Sequence, residues 1–287
     1  MTGTGTQADP FIVDNWPDFV TAVETSGAYV AFPEGGGTID MNSVAPEGIQ
    51  QVQLRCASIE GNGWNICNLY TVGHGAFYSQ SSVTITGLNF LDFYGDFQSE
   101  AARFFDSSSD YPYHYTFSLC KFSGLLTGTY NRAGFSVAWV AGGSNIRLHR
   151  CSVNLRLNGS IKFIYYGGSW NSNANMADFC NIQISGTSPN VFADKYNYKN
   201  CFFSGKCLSK VELYSDSDFN VFNVDFTEAE GFTCYCANPD AINIINTDIL
   251  PSGVTGGTGF AGVTEAQMLD ANYLAALGFP IGVVIND

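Results

Sequence analysis

Tyr115-Thr-Phe-Ser-Leu-Cys-Lys-Phe-Ser-Gly124 sets alternating apolar residues around a cysteine, the period-two pattern of a strand with one buried face. Similar stretches recur along the chain. Ile146-Arg-Leu-His-Arg-Cys-Ser-Val-Asn-Leu155, Phe179-Cys-Asn-Ile-Gln-Ile-Ser-Gly186 and Tyr198-Lys-Asn-Cys-Phe-Phe-Ser-Gly205 repeat it with cysteine. Val83-Thr-Ile-Thr-Gly-Leu-Asn-Phe90, Phe219-Asn-Val-Phe-Asn-Val-Asp-Phe226 and Ile242-Asn-Ile-Ile-Asn-Thr-Asp-Ile249 fit the same frame with Gly or Asn at that place.

Aligned on Gly87, Cys120, Cys151, Cys180, Cys201, Asn223 and Asn246, the segments step by 33, 31, 29, 21, 22 and 23 residues. A coil of three short strands and three turns takes about that much chain, and insertions enter at turns while the strand register is kept. The sequence is therefore expected to form an all-β, right-handed parallel β-helix, with protruding loops on the longer early coils. In such a stack an inward cysteine lies beneath the cysteine of the next coil and acts as a small hydrophobe.

Composition agrees. Of 287 residues, 45% are hydrophobic and 15% aromatic, whereas only 13% are charged, with abundant Gly and much Asn, Ser and Thr. That profile favours strand and turn over helix. The net charge of −14 repels phosphate backbones and anionic lipid surfaces, so neither nucleic acid nor membrane is an expected partner. No apolar run reaches the length of a membrane span.

Nine cysteines leave at least one unpaired. The N-terminus shows no basic region followed by an apolar stretch, so no export to an oxidising compartment is expected and the thiols are read as reduced. A metal site built from Cys201, Cys207, Cys234 and Cys236 would lack zinc-ribbon spacing, and neither metal nor cofactor is assigned.

The two ends differ from the middle. Asn15-Trp-Pro-Asp18 is an N-cap with proline in the first turn and an acid at N3, predicting a capping helix over 16–25. Beyond the turn-rich segment 251–259, Thr264-Glu-Ala-Gln267 starts a second helix presenting Met268, Leu269, Tyr273, Leu274 and Leu277, which stops at Gly278. It would serve as a lid on the last coil or as a peg docking into another subunit. The expected organisation is a lead-in with its capping helix over 1–48, the β-helix over 49–250, and a linker with the C-terminal helix over 251–287.

The opening Gly3-Thr-Gly-Thr-Gln-Ala-Asp-Pro-Phe-Ile-Val13, followed by a helix and Val30-Ala-Phe-Pro-Glu-Gly-Gly-Gly-Thr-Ile-Asp40, resembles the start of parallel β-helices of the pectate-lyase-like superfamily. Within it the chain is most like bacteriophage tailspikes and other virion appendages. The superfamily also contains polysaccharide lyases, hydrolases and adhesins, so the fold alone does not select an activity. The segment from Thr264 to Pro280 looks like the short helix and Gly-Phe step that follows repeats in some bacterial and phage surface proteins.

Polygalacturonase-type hydrolases on this fold use paired aspartates near a Gly-His-Gly motif, and Gly73-His74-Gly75 is present. Asn246-Thr-Asp248 matches another fragment of that pattern, but the order is reversed and no Asp-Asp pair or Arg-x-Lys accompanies it. His74 therefore reads as a turn residue. Lyase chemistry needs calcium held by several carboxylates; the acids to consider are Asp92, Asp96, Asp106 and Asp110, with Arg103 and His114 in the same loop-rich segment. None is assigned as catalytic. Tyr94, Tyr111 and Tyr113 there, and Tyr165, Tyr166 and Trp170 in a later coil, are candidates for stacking on sugar rings or filling an interface.

The expected function is that of a non-enzymatic bacteriophage virion protein: a capsid decoration, head fibre or tail appendage assembled in the bacterial host cytoplasm. Its expected partners are copies of itself, by resemblance in a trimer, other virion proteins and host-surface polysaccharide. A carbohydrate-active lyase or hydrolase acting as a phage depolymerase is the first alternative, and a bacterial surface adhesion module the second.

Overall fold

The computed structural model describes residues 1–98, 102–107, 113–130, 133–139, 145–167, 176–178, 180–187, 197–199, 201–206, 211–215, 219–225, 232–236, 242–245 and Asn272. Its strands form a parallel β-solenoid. From Phe77–Ser79 to Asn181–Ser185 successive strands go to three sheets in rotation, and every strand pair within the sheets is parallel. The first sheet has eight strands, the second ten and the third five. A fourth, two-stranded sheet pairs Val211–Ser215 with Phe232–Cys236.

The fourth sheet enters where the spacing is short late in the chain. From Cys201–Lys206 to Phe219–Asp225 and on to Ile242–Ile245, the described strands alternate between the second and fourth sheets.

The register confirms the inward cysteine column and corrects its ends. Thr86 pairs with Ser118 and Ser118 with His149. The next residue in each coil, Gly87, Leu119 and Arg150, occupies the left-handed bend at φ 62°, 56° and 51°. The inward position follows, so Leu88, not Gly87, is the counterpart of Cys120 and Cys151. Leu88, Cys120, Cys151, Cys180 and Cys201 are all buried. In the last coils Cys201 pairs with Asn220, whereas Asn223 pairs with Ser204, three residues further along than the sequence alignment placed it.

Each thiol in the column reaches back to a carbonyl of the preceding coil: Cys120 to Ile85, Cys151 to Phe117, Cys180 to Leu148 and Cys201 to Ala177, at 3.2–3.5 Å. Burial pushes Cys151 and Cys180 up, while the thiol of the preceding coil lowers each and that of the following coil raises it, and in Cys120 the Cys151 contact adds most to the rise. These groups stay protonated and pack as small hydrophobes.

Phenylalanine fills the rest of the interior. Phe77 stacks on its register partner Phe105 with centroids 5.3 Å apart, and Phe90 on Phe122 at 5.8 Å. Phe135 and Phe163 continue the pattern at 5.6 Å. One buried cluster runs from Val13 to Cys201.

Helix α1 (Trp16–Val23) begins where the sequence requires: the Asn15 side chain accepts from the Asp18 amide at 3.0 Å, and the terminal amine pairs with Asp18. Trp16, Phe19, Ala22 and Val23 are buried, and the amides of Arg55 and Cys56 donate to the Val23 carbonyl. The helix thus seals the start of the stack, two residues shorter than predicted. A short helix α2 (Met41–Val44), capped by Asp40, was not foreseen. The expected C-terminal helix, with Met268, Tyr273, Leu274 and Leu277, lies outside the described residues. No helix among the described residues is long and apolar enough to cross a membrane.

Candidate functional site

Strand Asn89–Asp96 carries a bulge. Phe90 pairs with Phe122 but Phe93 with Gly124, so Leu91 and Asp92 together face the single Ser123. Asp92 takes a left-handed backbone, φ 54°, and its amide donates to Ser123 Oγ at 3.0 Å. Ser123 Oγ lies 3.4 Å from Asp92 Oδ1. Gly124 is required opposite: a Cβ there would sit 2.5 Å from both the ring and the carbonyl of Phe93. Without that side chain Phe93 turns into the core and Tyr94 turns outward.

Beside the bulge the outer face of the second sheet opens into a groove of about 460 Å³, lined on its polar side by Asp92, Ser123, Asn154 and Arg156. Tyr94 stacks on Tyr70 at 5.2 Å along its edge. Burial, then Asp96 and Tyr70, raise the Tyr94 phenol above its ordinary value. Cys67, half-buried on the same face, is likewise raised by burial and by Asp92 and Asp40.

The candidate acids are distributed over two sheets. Asp92 and Asp96 lie on the bulged strand of the second sheet, and Asp96 Oδ1 is buried without a hydrogen-bond partner among the described residues. Asp106 belongs to the third sheet, where Arg103 Nη1 lies 3.6 Å from its Oδ2 and the Ser107 amide donates to its Oδ1. Burial raises the Asp106 carboxyl, partly offset by Arg103. Its carbonyl accepts from the Tyr115 hydroxyl at 2.7 Å, which ties the pair into the wall between sheets. Asp110 lies outside the described residues. Among the described residues no three His, Cys, Asp or Glu side chains come close enough together to hold a metal ion.

His74 sits in its glycine-flanked turn, with Nδ1 3.2 Å from Thr71 Oγ1 and 3.1 Å from the Gly75 carbonyl. His114 is pushed down by burial and by Arg147. Of the aromatic candidates among the described residues, Tyr94 alone lines the groove. Tyr113 is half-buried just ahead of strand His114–Ser118, and Tyr165 and Tyr166 lie in strand Lys162–Gly167, in register with Val137 and Ala138. Tyr111 and Trp170 lie outside the described residues.

No family model, curated protein or solved structure matches the chain.

Ser123, Asn154 and Arg156 went unnoticed in the sequence. Their signal was the polar half of the alternation in Ser152-Val-Asn-Leu-Arg-Leu-Asn-Gly159, whose Val153, Leu155 and Leu157 are buried while Asn154 and Arg156 are exposed. The groove offers a hydroxyl, an amide, a carboxylate and a guanidinium beside an aromatic pair, a set suited to binding a polyhydroxylated ligand.

Proposed function

We propose that this protein is a non-enzymatic structural component of a bacteriophage particle, a decoration or appendage built from several copies of the solenoid, which touches host-surface glycans through its outer faces. The observation that carries the reading is the single buried cluster from Val13 to Cys201, sealed at one end by α1. Cys120, Cys151, Cys180 and Cys201 and the buried phenylalanines are used for stacking in that core. Buried Arg103 and half-buried Asp106, in the segment first considered for catalysis, form an ion pair in the wall of the third sheet.

A solenoid chain of low charge density and net negative charge suits a protein displayed in many copies, because net charge keeps crowded copies soluble. Resemblance to virion β-helices favours a trimer, whose three-fold symmetry would bury equivalent flanks.

Light scattering on the full chain, paired with a reducing-end assay on bacterial surface polysaccharides, tests the proposal. A stable mass of three times 31.0 kDa without polysaccharide cleavage is expected. A monomer, or sustained release of reducing ends, would refute the assembly or the non-enzymatic part respectively.

A further inference from the structure

We infer that the groove at the Asp92 bulge binds a neutral polysaccharide, with the sugar chain lying along the solenoid axis. The inference rests on the reading that the protein contacts glycans, and it adds the place and the chemical class of ligand.

The direction comes from register. Ser123 pairs with Asn154 and Asn154 with Gln183, forming an outward polar column that runs from coil to coil. Next to it, Tyr70 pairs with Tyr94, Tyr94 with Leu125 and Leu125 with Arg156. Adjacent strands lie about 4.8 Å apart, so both columns repeat at a spacing comparable to one pyranose ring in an extended chain. A sugar chain laid parallel to the axis meets a new hydrogen-bonding group at each coil; laid across the strands it would leave both columns.

The chemistry of the two columns is complementary. Asn154 can donate and accept, Ser123 Oγ keeps a lone pair beyond its contacts with Asp92, and Arg156 offers a planar fork, which together match vicinal hydroxyls. Tyr94 and Leu125 give the apolar C–H face of a pyranose something to lie on. The bulge holds the floor in this shape, since Asp92 is kept in a left-handed conformation that few non-glycine residues adopt.

Charge selects the class. Arg156 is the one cation among the described residues lining the groove, against Asp92 in its lining and Asp96 close enough to raise Tyr94. With a net charge of −14 over the whole chain, a uronic-acid or phosphate polymer is repelled on approach, whereas a neutral one is not.

The test is a calorimetric titration of the full chain with four hexasaccharides: glucose hexamers in β-1,4, β-1,3 and α-1,4 linkage, and hexagalacturonate. At least one neutral hexamer is expected to bind about tenfold more tightly than hexagalacturonate. Asn154→Ala and Arg156→Ala, both at exposed positions, should each weaken that binding about fivefold without lowering the melting temperature. Absence of neutral binding, tighter binding of hexagalacturonate, or full affinity in both variants overturns the inference. A trimer that binds no neutral hexamer sinks the groove and leaves the assembly standing; a monomer that binds one at Asn154 and Arg156 does the reverse.

Discussion

Moving one residue along the bend between the first and second sheets should change the cost of a substitution from severe to negligible. Leu88 and Leu119 are neighbours in the aligned sequences, yet Leu88 is fully buried and Leu119 is 52% exposed in a left-handed conformation at φ 56°. Leu88→Ala removes a core side chain and leaves a cavity, costing about 2–5 kcal/mol. Leu119→Gly loses partial burial and gains unfolded-state freedom, together about 1–2 kcal/mol, but releases a left-handed strain of about 1–2 kcal/mol. The net effect at Leu119 is close to zero. A 287-residue chain unfolds with an entropy near 0.6 kcal/mol/K, so Leu88→Ala should lower the melting temperature by about 3–8 °C and Leu119→Gly by under about 2 °C. Urea and thermal unfolding of the two variants, followed by circular dichroism, make the comparison. Equal losses, or a larger loss at Leu119, would refute the register in which Gly87, Leu119 and Arg150 share the bend.

Three further perturbations probe other parts of the stack. Burial pushes the Cys56 thiol up to about 12, and a group raised in the folded state contributes stability that is complete below its unfolded value of 9.0 and lost as pH rises towards the folded one. Stability should therefore fall between about pH 9 and 12, by about 1.4 kcal/mol per pH unit for each such thiol, and Cys56→Ala should reduce the slope of a pH series of urea midpoints by one proton. In the folded protein at pH 8, alkylation followed by peptide mapping should label Cys67 ahead of Cys56, Cys120, Cys151, Cys180 and Cys201, which are buried. Asn15→Ala should cost about 1 kcal/mol in urea unfolding through loss of the bond to the Asp18 amide, with Asn15→Asp restoring most of it.

The solenoid was legible because its core is repetitive. Cysteine and phenylalanine return at each coil on the buried half of the alternation, and Tyr115 to Gly124 and Ile146 to Leu155 pair residue for residue over much of their length. Helix α1 was legible for a local reason, since Asn15, Pro17 and Asp18 specify its start without help from the rest of the fold. Gly87 misled the alignment by one residue. Glycine is the natural occupant of a left-handed bend, and nothing in Leu119 or Arg150 announces that they occupy the same place. Asp106 misled the search for chemistry because an aspartate near a histidine in a loop-rich segment reads the same whether it is exposed or paired with Arg103 inside a sheet.

The groove was harder to see for a reason that follows from the same one-residue shift. Side chains on a strand alternate between faces, so a slip of one exchanges the inner and outer columns. With Gly87 set against Cys120, Asp92 falls out of line with Ser123 and Asn154. The bulge displaces it again, because Leu91 and Asp92 share one partner. Ser123, Asn154 and Gln183 share one outward column in the cysteine alignment itself, and only after both offsets are known does Asp92 stand at its head. The buried half of a solenoid tolerates misalignment in sequence reading, since any apolar residue resembles its neighbour there. The outer half carries its meaning in which polar group sits beside which, and that is fixed by bends and bulges that leave little trace in composition or periodicity.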